Sequence, residues 1–365
     1  MEAILQFGTG KFLRCFADLF AEQVNATEGP GEQIVVVQST GTARAALFNA
    51  RQGRYHAAIR GLEAGRVVDQ TVEVGSISRA LAADTDWEAV LCLARSAALR
   101  AVISNTTEAG YSLNATDSQQ AFPPRSFPAK LLAVLHARFD AGLQGLTILP
   151  CELLEGNADR LRDLVLEQAR RWNLSATITE WIAHSCVWYN TLVDRIVSAP
   201  AAGDAMAASD PLLAVGEPFA FWGIEGAANG PSLMRHPAVH WVENLQPYYL
   251  RKVRILNGAH TALVAKARPL GLTTVREAVG DARIAPWLDR LLFDEIVPTL
   301  IGRTEDPEGF ARAVLERFAN PFLEHRLADI ALHQEVKVQT RLAPTLEEYQ
   351  AKFGREPRLL AEVVP

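Results

Sequence analysis

The stretch Ala3-Ile4-Leu5-Gln6-Phe7-Gly8-Thr9-Gly10-Lys11-Phe12-Leu13-Arg14-Cys15-Phe16-Ala17-Asp18-Leu19-Phe20 decides the fold. Its first five residues form a short apolar run. Two glycines follow, one residue apart. Phe12, Phe16, Leu19 and Phe20 then recur at helical spacing, which predicts a helix from Lys11 through Phe20. The order is strand, tight turn, helix. Gly8 permits the sharp turn. Gly10 lets the backbone approach a pyrophosphate whose charge faces the helix N-terminus. An ordinary strand-to-helix turn has the same outline. The third glycine usual in a dinucleotide-binding turn is missing, and Leu13 stands in its place.

The pattern continues outward. Gln33-Ile34-Val35-Val36-Val37-Gln38 is a continuous β-branched run, suited to a parallel strand buried on both faces. Trp87–Leu99 reads as a helix, Leu99–Ser104 as a strand, Pro128–Phe139 as a helix, Leu146–Leu149 as a strand and Asn157–Trp172 as a helix. Such alternation predicts an α/β fold with a Rossmann-type doubly wound sheet. From about residue 250 helices dominate: Lys252–Ala267, Ala285–Ile301 and Pro307–Phe318. A mostly α-helical C-terminal domain over 246–365 is therefore expected after a dinucleotide-binding domain over 1–245, with an active site between them. The Ala-rich stretch Ala199–Ser209 reads as a surface loop.

Bulk properties narrow the function. A chain of 365 residues exceeds the size, about 250–300 residues, at which single cores stop growing. The net charge of −6 gives no field that would gather phosphates along a duplex, and no basic run interrupts the chain, so no nucleic-acid partner is expected. No run of about 18 apolar residues could cross a bilayer. The four cysteines sit at no metal-ligand spacing, so no metal site is expected and free cytoplasmic thiols are. The second strand ends Gln38-Ser39-Thr40, without the carboxylate that holds a ribose 2′-hydroxyl, while Arg44 lies a little beyond, in position to meet a 2′-phosphate. NAD and NADP both stay open on these residues.

The chemistry concentrates in Lys252-Val253-Arg254-Ile255-Leu256-Asn257-Gly258-Ala259-His260. At ~100° per residue an α-helix puts Lys252, His260 and Asn257 at about 0°, 80° and 140°, on one side of an otherwise apolar helix. Burying three polar groups there is costly without partners or a task. Hydride leaves a carbinol carbon only as its hydroxyl proton is removed. A desolvated lysine can take that proton, an asparagine amide can donate to the developing alkoxide, and a histidine can fix the hydroxyl.

The spacing Lys-x4-Asn-x2-His resembles the signature of the mannitol dehydrogenase family, the polyol-specific long-chain dehydrogenases. Phe7–Arg14 looks like the family's cofactor turn, and Ser104-Asn105-Thr106-Thr107-Glu108-Ala109-Gly110-Tyr111 like its segment beside the nicotinamide. Asn190-Thr191-Leu192-Val193-Asp194-Arg195-Ile196 and Glu217-Pro218-Phe219 with Trp222 match two further motifs, in the family's order. Within the family the resemblance is strongest to the tagaturonate reductase, or altronate oxidoreductase, branch. It rests there also on Leu149-Pro150-Cys151-Glu152-Leu153, Arg317-Phe318-x-Asn320-Pro321, His325 and Lys337.

The resemblance implies an NAD-dependent interconversion of a keto-sugar acid and its hydroxy acid without a metal. Lys252 would be the acid/base, Asn257 and Asn190 the alkoxide donors, His260 a ligand of the substrate hydroxyl and Lys337 a partner of the substrate. Gly8, Gly10, Lys11, Phe12, Thr40, Asn105, Thr106 and Glu108 would hold the cofactor. Three features depart from the pattern: Cys15 replaces a glycine, Asp329 stands where polyol-oxidising relatives carry an arginine, and the chain ends sooner than typical uronate reductases. Asp329 argues against plain mannitol oxidation. A polyol or sugar-phosphate dehydrogenase and a non-catalytic NAD-sensing regulator are the competing readings, and the oligomeric state is not encoded legibly. Asp194 and Arg195 read as an ion pair locking the domain interface.

Overall fold

The computed structural model describes every residue except Pro30, Thr107, Ala202 and Pro365, together with the side chain of Glu108. As far as Trp188 the described residues form the strands β1 (Glu2–Phe7), β2 (Gln33–Gln38), β3 (Tyr55–Glu63), β4 (Arg66–Val74), β5 (Ile77–Ala82), β6 (Ala101–Ser104), β7 (Thr147–Pro150) and β8 (Val187–Trp188). Six of them form one sheet in the order β5-β2-β1-β6-β7-β8, paired in parallel throughout. This is the doubly wound Rossmann arrangement, and its strand order reverses between β1 and β6. The central strands are buried along nearly their whole length, as their continuous apolar runs predict. Leu5, Phe7, Val35, Val37, Val102 and Ile148 share one core with Trp87, Leu131, Leu135, Leu161 and Val165 from the helices.

The first helix is not continuous. Lys11–Arg14 forms one turn, and a second helix runs Ala17–Glu28. Between them Phe16 leaves helical geometry, with φ −133° and ψ −102°. The break is held by outside partners. The Tyr55 hydroxyl donates to the Arg14 carbonyl at 2.8 Å, and the Arg195 guanidinium donates to the Cys15 carbonyl at 2.7 Å. Both carbonyls are thereby satisfied outside the helix. Arg195 thus supports this break. The Ala199–Ser209 stretch contains a short helix, Ala205–Ser209, capped by Asp204.

The chain forms two compact units. One comprises 1–58, 71–216 and 220–245; the other comprises 59–70, 217–219 and 246–365. A single cut at 245 therefore misassigns two segments: the tip of the β3–β4 excursion and the Glu217-Pro218-Phe219 run belong with the second unit. Asn320 explains part of this, since its amide donates to the Arg60 carbonyl at 2.9 Å. The second unit is otherwise helical. Ile255, Leu263, Trp287, Leu291, Leu300, Val314 and Leu342 lie in its core. Two of its helices start at side-chain caps. Thr274 and Glu277 form a reciprocal capping box, and Asp306 caps Pro307–Phe318. Two of its helical stretches, Lys252–Asn257 and Leu291–Ile296, are π-helical rather than α-helical.

Asn157, fully buried at the start of Asn157–Arg171, ties neighbouring strand ends together. Its amide donates to the carbonyls of Pro150 and Thr191 at 3.1 Å and accepts from the Thr191 backbone at 2.9 Å. Asn157→Ala should therefore lower stability by roughly 2–4 kcal/mol in urea unfolding, because each stranded buried group costs about 1–3 kcal/mol. A loss below 0.5 kcal/mol would show that this bridge contributes nothing.

Candidate active site

In the first unit the candidate site lies where the sheet order reverses. Gly8 closes β1 with φ +137°, a conformation L side chains rarely adopt. A Cβ there would stand 3.0 Å from the Asn105 carbonyl oxygen at the end of β6. Gly10 has an ordinary φ of −68°, so its glycine is not required by the backbone. A Cβ at Gly10 would meet nothing within 4 Å. The two glycines thus serve different ends: one lets β1 turn against β6, and the other leaves open space above the turn. Lys11 and Thr40 are exposed beside it, and Phe12 stacks on Phe16 with centroids 4.8 Å apart. The Gln38 side chain bridges the loop after β2, donating to the Thr40 carbonyl at 2.7 Å and accepting from the Ala45 amide at 2.8 Å.

The loop after β6 hangs on one carboxylate that reading for catalytic residues passed over. Glu152 is 2 % exposed. It accepts from the Ser104 hydroxyl at 3.0 Å, the Thr106 backbone at 2.8 Å, the Thr106 hydroxyl at 3.0 Å and the Tyr111 hydroxyl at 3.2 Å. Burial pushes its pKa up, and the hydrogen bonds oppose that shift. The Asn105 amide donates to the Cys151 carbonyl at 2.8 Å, joining the ends of β6 and β7. Asn105 and Thr106 are therefore placed at the strand ends that flank the switch point, while the Glu108 side chain lies outside the described residues. Glu152 was visible in the sequence within Leu-Pro-Cys-Glu-Leu, but only as part of a resemblance.

Under the glycine turn lies a buried polar network. Gln6 donates to the Gly8 carbonyl at 3.2 Å, and Arg14 to the Thr9 carbonyl at 2.9 Å. The Tyr55 hydroxyl reaches Asp18 at 3.3 Å. Burial raises the Asp18 pKa from 3.8 to about 7, against the pull of Gln6, Arg14 and Tyr55. Folded protein then holds a proton on Asp18 where unfolded chain has lost it, so this group's contribution to stability falls as pH rises from about 4 to 7. Asp18→Asn should flatten that part of the stability–pH curve, measured by denaturation at pH 4.5, 6 and 7.5. An unaltered slope would contradict the assignment.

Asn190, also in the first unit, is a helix cap. Its side-chain oxygen accepts from the Ala158 and Asp159 backbones at 3.0 and 3.2 Å, and its amide donates to the Asp159 carboxylate at 2.7 Å. One amide hydrogen remains beyond these bonds. The expected role as an alkoxide donor therefore rests on that single hydrogen.

The second unit carries Lys252, Asn257 and His260. The π-helical winding changes the geometry expected of them. Its backbone bonds join residues five apart, as the Gly258 amide does with the Val253 carbonyl. Asn257 lies five residues after Lys252, so the two come to about one turn apart on the same side, rather than about 140° around. The α-helix Gly258–Ala267 then resumes. Lys252 and His260 are buried and Asn257 is half-buried. The His260 ring stacks on Phe318 at 4.2 Å and meets His325 edge-on at 4.8 Å. Its Nε2 is buried with no hydrogen-bond partner among the described residues. Burial, then the charges of His325, Arg317, Arg341 and Lys337, hold its pKa well below 6.5, so the ring is neutral near pH 7.

Arg317 is matched in place. It is bidentate to buried Glu217, with contacts of 2.7–3.1 Å, and lies over the Phe219 ring. Both partners stood in recognisable motifs, Glu-Pro-Phe and Arg-Phe-x-Asn-Pro, yet a separation of a hundred residues hid their pairing. Lys337 is half-buried, and its ammonium donates to the Ile330 carbonyl at 2.7 Å. Among the described residues no group of three or more His, Cys, Asp or Glu is placed to hold a metal ion. Among the described residues no helix is long and apolar enough to cross a membrane.

Residues 2–234 match the model of the mannitol dehydrogenase Rossmann domain, and residues 244–365 that of the mannitol dehydrogenase C-terminal domain. The chain belongs to the mannitol dehydrogenase family. It is similar to the altronate oxidoreductases of Bacillus subtilis (strain 168) and Yersinia pestis, each 38% identical over 98% of this chain and 77% of the relative. The crystal structure of D-sorbitol dehydrogenase in substrate-free form superposes with a TM-score of 0.86 at 26% identity, covering 98% of this chain and 78% of that one. The ternary complex of Pseudomonas fluorescens mannitol 2-dehydrogenase with NAD and D-mannitol shares the fold, with a TM-score of 0.79 at 23% identity over 100% and 77% of the two chains. Family membership places the chain among secondary-alcohol dehydrogenases of polyols and sugar acids.

The open space at Gly10 fits the approach of a dinucleotide pyrophosphate. Gly10→Ala should fold with a normal unfolding midpoint but bind NADH at least tenfold more weakly in a fluorescence titration. Equal affinity would show that the cofactor passes elsewhere.

Proposed function

We propose that the protein interconverts a keto-sugar acid and its hydroxy acid, of the tagaturonate/altronate type, with NAD and without a metal ion. The observation that carries this reading is the buried Lys252–Asn257–His260 arrangement with the cations Lys337 and Arg341 acting on His260. The likeness to the altronate oxidoreductases supports the choice of substrate.

Gly8 and Gly10 would hold the cofactor with Lys11, Phe12 and Thr40 around the turn and Asn105, Thr106 and Glu108 at the β6 end. When bound, the nicotinamide supplies the acceptor or donor of hydride. Lys252 moves the proton. In the oxidation direction its neutral amine takes the hydroxyl proton, and in reduction its ammonium returns it to the carbonyl oxygen. Asn257 makes no side-chain hydrogen bond among the described residues, so its amide is available to donate to the oxygen as negative charge develops. The neutral His260 ring offers Nε2 to a substrate hydroxyl and relieves its unpaired burial. Asn190 assists through its remaining amide hydrogen, and its main task is to hold the start of Asn157–Arg171. Lys337 meets the carboxylate. A lysine base needs no metal-bound hydroxide, so activity should survive dialysis against a chelator.

The anion-attracting surroundings of His260 suit a sugar phosphate as well as a sugar acid, which is why both belong in the decisive assay. NADH and NADPH oxidation should be followed with tagaturonate, fructuronate, fructose and fructose 6-phosphate. Turnover should be highest with a keto-sugar acid and NADH. Preference for fructose 6-phosphate would replace the reading with a sugar-phosphate dehydrogenase. Binding of NADH without turnover of any substrate would replace it with a cofactor sensor.

One variant tests the role of Lys252. Lys252→Ala should lower kcat by about 10²–10⁴-fold, the usual share of general acid–base catalysis, with the NADH Kd within twofold. Turnover within threefold of the parent would remove Lys252 from the mechanism.

A further inference from the structure

The loop after β6 holds one hydroxyl whose hydrogen-bonding polarity is fixed from inside the protein. Glu152 Oε1 accepts from the Thr106 backbone N–H at 2.8 Å and from the Thr106 hydroxyl at 3.0 Å. A backbone N–H can only donate, which keeps Oε1 an unprotonated acceptor. The hydrogen between Oε1 and Thr106 Oγ1 is therefore the hydroxyl's own. A threonine hydroxyl has one hydrogen and two lone pairs. With the hydrogen spent on Glu152, Oγ1 offers only lone pairs to anything else. The other carboxylate oxygen is engaged separately, by the Ser104 hydroxyl at 3.0 Å and the Tyr111 hydroxyl at 3.2 Å, which holds the carboxyl group in place.

Those lone pairs have room. Thr106 is half-buried, and among the described residues its hydroxyl makes no other hydrogen bond. A Cβ at Gly110 would collide with Thr106 Oγ1, so the missing side chain leaves the space beside the hydroxyl unfilled. The place of Thr106 in the fold says what would enter. In a doubly wound sheet a dinucleotide crosses the carboxyl ends of the strands where their order reverses, with its pyrophosphate at the first turn and its adenosine ribose beyond the second strand. Here the reversal lies between β1 and β6. A dinucleotide laid this way has its adenosine half over the end of β2 and its nicotinamide half over the end of β6. There the strands lie so close that a Cβ on Gly8 would stand 3.0 Å from the Asn105 carbonyl oxygen, and Thr106 is the next residue. The nicotinamide ring brings a single hydrogen-bond donor, the NH2 of its carboxamide.

We infer that Thr106 is a cofactor-specificity residue whose hydroxyl, made an acceptor by Glu152, receives a hydrogen bond from the carboxamide NH2 of the nicotinamide. The inference rests on the reading above that Asn105 and Thr106 face the cofactor. A hydroxyl free to rotate would accept from the NH2 or donate to the carboxamide oxygen equally well, and would tolerate both settings of that group. A hydroxyl whose hydrogen is taken accepts only. A site built this way rejects a ligand that lacks the donor, because the acceptor is then left unpaired. Glu152 is a positioning residue that acts through Thr106.

The test exchanges that donor and nothing else. Acetylpyridine adenine dinucleotide keeps the carbonyl on the ring and carries a methyl in place of the NH2. Kd is measured for NADH by fluorescence and for the reduced analogue by displacement of NADH, on the parent enzyme, Thr106→Val, Thr106→Ala, Thr106→Ser and Glu152→Gln. The parent should prefer NADH. Thr106→Val and Thr106→Ala should shrink that preference by about threefold to tenfold, the range for one hydrogen bond. Thr106→Ser should retain it. Glu152→Gln should keep it within twofold, because the glutamine oxygen must still take the Thr106 N–H and with it the hydroxyl hydrogen. The unfolding midpoint of each variant reports whether the fold is intact. An equal loss of affinity for both ligands in Thr106→Val and Thr106→Ala would overturn the inference, because the hydroxyl would then meet a part that the two share, such as a ribose. Unchanged affinity for both would fail one step earlier, by refuting the reading that this loop faces the cofactor.

Discussion

The proposed chemistry depends on a loosened turn of helix. Had Lys252–Asn257 wound as an α-helix, the lysine and the asparagine would point well apart. The π-helical winding brings them to the same side, and the α-helix that follows adds His260. Such a turn has poorer hydrogen-bond geometry and is uncommon inside helices. The hydrophobic surroundings hold it: Ile255, Leu256, Ala259 and Leu263 flank the polar residues and sit in the core of the second unit. The polar face is therefore fixed by an apolar one.

The first unit solves a different problem with the same means. Its strand ends must present backbone and small side chains to a cofactor without collapsing on one another. Buried polar groups set their spacing. Glu152 gathers Ser104, Thr106 and Tyr111; Asn157 joins Pro150 to Thr191; Arg14 and Gln6 hold the carbonyls of the glycine turn. Partly satisfied networks of this kind are costly, and Asp18, Arg14 and Gln6 each retain a buried atom without a hydrogen-bond partner among the described residues. Conformational precision at the turn is what they supply in return.

Much of this was legible in sequence, for identifiable reasons. The parallel sheet announced itself because strands buried on both faces must be continuously apolar. The helices read at Asn157–Trp172 and Pro307–Phe318 came within a residue of their observed ends. The break at Phe16 was hidden because its cause lies in Tyr55 and Arg195, far along the chain. The π winding at Lys252 was hidden because hydrophobic spacing does not distinguish five-residue from four-residue backbone bonds over so short a stretch. Strands β3–β5 were unread, and the allegiance of 59–70 to the second unit depends on Asn320, a contact no local pattern reveals. Lys252, Asn257 and His260 stand out because three polar residues on an apolar helix are hard to explain as packing. Glu152 escapes such a reading because its partners Ser104, Thr106 and Tyr111 meet it only in three dimensions.

The central claim is that the Lys252 amine carries the proton. Chemical rescue addresses it most directly. In Lys252→Ala, added primary amines should restore turnover in proportion to the concentration of free base, and more strongly for small amines than for bulky ones. Tertiary amines too large for the vacated space should restore none. A variant whose residual rate is indifferent to every amine, at concentrations that leave NADH binding unchanged, would contradict the assignment of Lys252 as the acid–base group.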